Sequence, residues 1–523
     1  MQERPVWLCG AKVWTGSGAP EGRDLPSSLL FDAGRVAAVG TEEQVGTHPA
    51  AARAERLDLK GATVLPGLTD GHAHLTSFAK QREALDLGEC ASLGEVLGLL
   101  RAKARELEAG AWIHGVRFCD PRWTENRLPT RQDLDSLDIP NPVFLTRVCT
   151  HVQVANTAAL RAAGMDPADA PDGILHETSA YPVIQAFDAW QTGAGVEGLV
   201  EAACRDYLRF GVTEVHTCSA LEYGMGESLG LFQSLRRQGR LPLRVLLYAD
   251  TPPSWEMQSG FGDDWVRYGG FKFFLDGSLG GRTAWLSTPY ADDPSTCGVP
   301  NHDPDEMVEK AVALHRGGVQ MLIHAIGDAA LDLAIRAVRE ANAQGPNPCG
   351  LPHRLNHVMI CRDDQMEALR GMDLALDVQP SFLPSDLAMA KTRLGEERAR
   401  WGYRWRDFVD LGVPVSASSD SPVEPISPFR GMWSALCRTE ADGTPAGGWC
   451  PGQSLSLDQA LRLFTVNPAR AAGEEGRRGV LHPGAWADLS ILDADLFSLP
   501  PEALRDLEVR RTYVGGELRH SRG

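Results

Sequence analysis

Apolar residues fall along this chain in two rhythms. From Val6 to about Val64, short runs such as VWLCGAKVW, SSLLFDAGRVAAVG and ATVLP are broken by Gly and Asp, with no helix of any length between the first two. The far end has the same character, since GVLHPGAWADLSILDAD and VRRTYVGGELRH alternate apolar and polar positions around Gly turns. Isolated hairpins are marginal in water, so the two β-rich ends are expected to pair into one small domain.

Between the ends, strand-like and helix-like stretches alternate, the mark of a parallel sheet with helical crossovers. Eight strand candidates occur in order: TVLPGLTDGHAH, GVTEVHT, LRVLLYA, FKFFLDG, VQMLIHAI, RLNHVMI, LALDVQP and PVSASSD. Helix-compatible stretches such as DEMVEKAVALHRGG and DDQMEALRGM separate them. Eight parallel strands close a barrel whose functional groups sit at the C-terminal strand ends. From about Leu85 to Gly195 there is more chain than one crossover helix requires, with strand-like WIHGVRF and PVFLTRV inside it. An insertion leaving the C-terminal end of a strand is expected to cover the barrel mouth. The expected fold class is therefore α/β: a TIM-like (β/α)8 barrel over residues 65–465, a β-sandwich from 1–64 plus 466–523, and an insertion subdomain at 85–195 after the first barrel strand.

Composition narrows the class of protein. Hydrophobic residues at 43% and charged residues at 23% describe an ordinary globular chain rather than a disordered one. A balance of 51 Lys+Arg against 69 Asp+Glu, net −18, repels phosphate backbones and anionic lipid, so neither nucleic acid nor membrane is an expected partner. The start MQERPVWLCGAKVW has neither the basic head nor the apolar core of a secretory leader, and a cytoplasmic location is expected. Cysteine numbers eleven, with no CxxC pair, which suits reduced thiols. Cys149 and Cys218 lie near His151 and His216 but carry no nucleophile signature, and they read as small buried hydrophobes.

Six side chains stand out at strand ends: His72, His74, Lys272, His324, His357 and Asp420. Alternation along a strand turns His72 and His74 to one side, as two ligands of one ion require. Lys272, flanked by Phe271, Phe273 and Phe274, either snorkels, pairs with a carboxylate such as Asp276, or loses its proton through burial, in which case the neutral amine can capture CO₂ as a bridging carbamate. His324 and His357 are about one strand–helix unit apart, so each ends a strand of its own. Barrel closure sets Asp420, after VPVSASS, beside the first strand, although it could also cap the next helix. Such a set is a two-metal hydrolase site, with Zn²⁺ first and Mn²⁺, Fe²⁺ or Co²⁺ as alternatives. A metal-bound hydroxide would attack and Asp420 would move the proton as the catalytic acid–base.

Those six positions, with LPGLTDGHAH, GGFKFFLDGSLGGRTA, HAIGDAALD, GVPVSASSDSPVEP and the closing GVLHPGAWADLSILDAD, resemble the amidohydrolase superfamily, more narrowly its YtcJ-like branch with the N-substituted formamide deformylases. The resemblance covers nearly the whole chain. It implies that His72, His74 and Asp420 hold one metal and His324 and His357 the other, bridged by carboxylated Lys272. It implies hydrolysis of a non-peptide carbon–nitrogen (amide) bond in a small-molecule substrate such as an N-substituted formamide or N-acyl amine, by a chain that could form a homo-oligomer. The alternatives are a deaminase or cyclic amidase, and a non-catalytic scaffold. A deaminase of this superfamily usually has one metal and lacks the bridging lysine, and a scaffold would have lost ligands. SASSD stands where relatives more often have Gly before Ser-Asp, and THVQVAN where Gly-His is usual; neither departure removes a ligand.

Candidate substrate contacts are Asp276 and Arg282 in DGSLGGRTA, His151 on the insertion, and Tyr403 beside Arg404 in WGYRWRDF. Asn156 could close the pocket with His151, His216 is expected to hydrogen-bond behind the ligands, Asp328 to cap a helix, and Asp488 to sit in a turn. No Walker or dinucleotide fingerprint is present, so no nucleotide cofactor is implied.

Overall fold

A computed structural model describes residues 4–17, 25–82, 84–120, 123–147, 152–193, 195–219, 228–251 and 257–522. Its centre is a parallel barrel of eight strands in chain order: β1 Leu68–Ala73, β2 Val212–Cys218, β3 Arg244–Ala249, β4 Val266–Phe274, β5 Met321–Ala325, β6 His353–His357, β7 Leu374–Val378 and β8 Val415–Ala417. Nearly every residue of these strands is buried, because helices cover one face and the barrel interior the other. The helices follow local signals. Asp303 accepts from the amides of Asp305 and Glu306 to start Pro304–Arg316, with proline at its first position. Ala330, Leu331, Ala334, Val338 and Ala341 recur on one face of Asp328–Asn342, which is buried.

The barrel closes between β1 and β8 with few bonds, all at the C-terminal end. The amide of Asp420 donates to the His72 carbonyl at 2.9 Å, and the amide of His74 donates to the Ser421 carbonyl at 2.8 Å. A Cβ on Gly71 would stand 2.9 Å from the Ala417 carbonyl, so glycine is what lets the two strands approach.

Inside, the buried Arg354 of β6 binds four other strands. It donates to Asp377 on β7 at 2.8 Å, to Tyr248 Oη on β3 at 2.7 Å, to His216 Nδ1 on β2 at 3.1 Å and to the Gly71 carbonyl on β1 at 3.0 Å. Burial beside that guanidinium pushes His216 down to about 3, which keeps the imidazole neutral.

The TVLPGLTDGHAH run, expected as one strand, is two. Thr63–Pro66 pairs with Leu489–Ile491, while β1 begins at Leu68. Gly67 makes the handover; a Cβ there would fall 2.1 Å from Thr213 Oγ1. Thr63–Pro66 belongs to a five-stranded sheet shared by the two ends of the chain, in the order Lys12–Val13, Thr63–Pro66, Leu489–Ile491, Arg511–Val514, Glu517–Ser521. A second sheet is ordered Arg35–Gly40, Ser28–Asp32, Val6–Cys9, Glu55–Asp58. Leu8, Leu29, Phe31, Val64, Ile491 and Tyr513 form the core between them. Asp488 is not a turn residue, as expected, but a buried anchor: it accepts two bonds from Arg244 at the start of β3, at 2.7 and 3.0 Å, and one from the Gly515 amide. The aspartate compensates a guanidinium that the barrel base buries.

Barrel and terminal sheets lie in one compact unit, and Thr76–Val200 in another. The second has its own five-stranded sheet, ordered Ile174–His176, Val152–Ala155, Val143–Arg147, Ile113–Phe118, Leu85–Asp86, and its own core around Leu87, Leu100, Trp123 and Leu145. Among the described residues, no helix is long and apolar enough to cross a membrane.

Candidate active site

The C-terminal ends of the strands bring the six side chains together. His72 and His74, two apart at the end of β1, face the same way, with ring centroids 5.3 Å apart. Asp420 follows β8 in a left-handed conformation, φ 54°, and meets both: its Oδ1 is 3.0 Å from His72 Nε2 and 3.4 Å from His74 Nε2. Lys272 on β4 sets Nζ 3.5 Å from His72 Nε2 and 4.8 Å above the Phe274 ring. His357 ends β6, also left-handed at φ 71°, with its ring 5.6 Å from His72 and 4.4 Å from His324 of β5. Non-glycine residues held in that region mark places where the surrounding fold dictates side-chain aim.

Burial governs the electrostatics. It pushes His72 and His357 well below the ordinary imidazole range, and holds Lys272 below the ordinary ammonium range. Burial alone would raise Asp420, but the facing histidines, His72 first, hold its carboxyl well below the usual carboxylate range. His72 and His357 are therefore neutral imidazoles beside an ionised Asp420.

Hydrogen bonds behind the rings decide which nitrogens are free. His74 Nδ1 faces the Cys218 carbonyl at 2.8 Å, and a carbonyl can only accept, so His74 carries its proton on Nδ1. Its Nε2 then faces the Asp420 carboxylate at 3.4 Å. A buried carboxylate set against two imidazole nitrogens calls for a positive charge there, from a proton on a ring or from a cation bound between them. Among the described residues, His72, His74 and Asp420 form a group whose ligand atoms all lie within 4.8 Å of one another, and their N/O chemistry fits a divalent transition ion. His324 and His357 are side by side but differently engaged. His324 Nε2 is 3.2 Å from both the Gly277 carbonyl and Asp276 Oδ1, while His357 Nδ1 is 2.7 Å from Gln379 Oε1.

The candidate substrate contacts fare otherwise. Asp276 is fully buried and accepts from the amides of Trp285, Ile326 and Gly327, at 2.9, 3.1 and 2.8 Å. It clasps the chain after β5 and steers His324, so it is corrected from a substrate contact to a loop anchor. Arg282 pairs with Asp292 at 2.8 Å. Tyr403 is 4% exposed and its hydroxyl donates to Asp386 at 2.7 Å; burial in a closed pair removes it from the substrate contacts. Arg404 pairs with Asp363 and Asp407. His151 and Cys149 lie outside the described residues. Asn156 caps Thr157–Ala162, accepting from the Ala159 amide. Asp328 is not the expected cap: it opens Asp328–Asn342 after Gly327, and its carboxylate holds the Ser287 amide and Arg362.

Three residues contribute in ways that the sequence did not reveal. Cys218, read as a mere hydrophobe, places Sγ 3.0 Å from His72 Nδ1. Inward parity on β2, shared with Glu214 and His216, was the available signal. Gln379, whose Oε1 accepts from His357 Nδ1, and Asp70, which binds Ser419, became visible only with the barrel assembled.

With this geometry in hand, comparison with known proteins is informative. The family model described as "Amidohydrolase family" matches residues 55–520. The chain is 29% identical to YtcJ of Bacillus subtilis (strain 168), covering 95% of this chain and 96% of that one. It is 29% identical to an N-substituted formamide deformylase of Arthrobacter pascens, covering 100% and 99%. A crystal structure of an uncharacterized metal-dependent hydrolase from Pyrococcus horikoshii OT3 superposes with a TM-score of 0.80 at 30% identity, covering 95% of this chain and 99% of that one.

Proposed function

The chain belongs to the amidohydrolase family and is a hydrolase, and from that premise we propose that it cleaves a non-peptide amide C–N bond, that of an N-substituted formamide or N-acyl amine. His72, His74 and Asp420 would hold one divalent ion, Zn²⁺ by the donor set, and His324 and His357 a second, with carboxylated Lys272 between the two. The observation that carries this is the buried, ionised Asp420 set against Nε2 of both His72 and His74, three ligand atoms within 4.8 Å of one another. The 29% identity to a protein named for deformylating N-substituted formamides supports the bond type.

A bound divalent ion supplies Lewis acidity, acidifying water and polarising a carbonyl. The chain's own residues do the rest. Asp420, ionised and at the strand end, takes a proton from the attacking water and delivers it to the departing nitrogen, so that the acyl C–O bond forms, the C–N bond breaks, and a carboxylate and an amine leave. Lys272, its ammonium disfavoured by burial, is available as a free amine to add to CO₂ with loss of one proton. The low pKa of the His72 and His357 rings leaves each with one unprotonated nitrogen able to bind a cation, that of His357 now accepting from Asn356 Nδ2 at 2.9 Å.

The deciding experiment measures the metal content of the purified protein and screens formamides, N-acyl amines and cyclic amides, reading released amine and carboxylate. Hydrolysis of a formamide or acyl amine supports the reading. Ammonia release from an aminated heterocycle, with amides untouched, would replace it with a deaminase.

A further inference from the structure

One residue at the end of β2 grips both histidines of β1 from behind, and it does so with different chemistry for each. The Cys218 carbonyl lies 2.8 Å from His74 Nδ1, and the Cys218 Sγ lies 3.0 Å from His72 Nδ1. Register explains the reach: β2 runs parallel to β1 with Thr217 beside Ala73, so the next residue, Cys218, stands level with His74. Cys218 is fully buried.

The two contacts differ in what they allow. A carbonyl accepts only, so the neutral His74 ring keeps its proton on Nδ1 and presents Nε2 as its bare nitrogen. A thiol both donates and accepts. When His72 Nε2–H donates to Asp420, 3.0 Å away, Cys218 S–H can donate to the bare Nδ1. When Nε2 must surrender its proton to take a cation, Nδ1–H can donate to sulfur instead. We infer that Cys218 is a positioning residue that locks the tautomer of His74 through its backbone and lets His72 exchange its proton between ring nitrogens through its thiol, so that the site can empty and fill without leaving a buried ring nitrogen unpaired.

The same geometry argues against Cys218 as a ligand. Sulfur sits at the Nδ1 side of the His72 ring, whereas Asp420 and Lys272 lie at Nε2, on the ring's other side. Groups that orient a ligating histidine change metal affinity by about 10- to 100-fold when removed.

This inference rests on the metal reading above, and its test separates the two. In the full-length, metal-free protein labelled with ¹⁵N-histidine, nuclear magnetic resonance is expected to show the His74 proton on Nδ1 and the His72 proton on Nε2. Zn²⁺ should then move the His72 proton to Nδ1 without moving that of His74. Cys218→Ala, which keeps the carbonyl, should weaken Zn²⁺ binding about 10- to 100-fold in chelator competition. Cys218→Ser, which restores a group able to donate and accept, should recover most of the loss at an unchanged melting temperature. Equal Zn²⁺ affinity in Cys218→Ala and the parent overturns the inference, and so does a sulfur-to-cobalt charge-transfer band in the Co²⁺-loaded parent, which would make the thiolate a ligand. If the parent binds no Zn²⁺, the metal reading fails by itself. The metal-free tautomers then judge Cys218 alone, and a His74 proton found on Nε2 refutes its role.

Discussion

Asp70 accepts both the backbone amide and the hydroxyl of Ser419, at 2.9 and 2.5 Å, and so ties the first barrel strand to the last immediately beneath His72 and Asp420. Closure elsewhere between these strands is sparse, so this contact and the bond from the Asp420 amide to the His72 carbonyl set the carboxylate against the imidazoles. The geometry of the site is therefore a property of barrel closure. Ser419→Ala, which removes the hydroxyl but keeps the amide, is expected to destabilise the fold by about 1–3 kcal/mol and to lower turnover. Denaturant titration and kcat measured on one preparation test this; unchanged turnover at lower stability would show that Asp420 is aimed by other means.

Asp420 itself is expected to carry the proton. Asp420→Asn preserves shape and removes the charge, and kcat should fall about 100- to 10,000-fold. Metal content should fall with it, because the carboxylate faces both histidine Nε2 atoms. A variant that retains turnover would remove Asp420 from the acid–base role.

Lys272 offers a test that combines removal and reconstitution. Chelator treatment should abolish hydrolysis, and Zn²⁺ should restore it more fully when bicarbonate is present, because the amine must take up CO₂ to act as a carboxylate. In Lys272→Ala, a short carboxylic acid such as acetate should recover part of the activity by occupying the vacated space. Reconstitution indifferent to bicarbonate would leave a site with plain lysine.

The pH dependence of stability should report the base of the barrel. Glu214 on β2, buried against Arg478 at 2.6 Å, is held down to about 2; burial, the largest single influence, opposes this, and the surrounding charges, Arg478 first and Arg267 and Arg244 after it, together outweigh burial. A carboxyl lowered in the fold binds a proton more readily when unfolded, so its contribution is present above the unfolded value near 4.5 and is lost as pH falls toward 2. Denaturant midpoints from pH 6 to pH 2.5 should therefore fall more steeply for the parent than for Glu214→Gln. The variant should start about 3–5 kcal/mol less stable, since it strands a buried guanidinium. Parallel slopes would refute the assignment.

Much was legible in the order of residues alone. Alternation of strand and helix announced the barrel, because a parallel sheet buried on both faces needs continuous apolar strands and helical crossovers. The HxH spacing of His72 and His74, and the strand-end positions of Lys272, His324, His357 and Asp420, followed from period-two geometry. The roles of Asp276, Tyr403, Asp328 and Asp488 were not legible. A carboxylate or phenol looks the same in a sequence whether it faces a pocket or closes a buried pair, and the partners here are nine to 244 residues away. The break at Gly67 was hidden as well, since one apolar run serves two sheets and only the crowding by Thr213 marks the handover. The sequence by itself thus determined which chemical groups this protein brings to its strand ends. Tertiary structure alone decided which of their atoms are free, because a ring nitrogen or carboxylate oxygen is available only if no neighbour from another strand has taken it, as Cys218 has taken both Nδ1 atoms of His72 and His74.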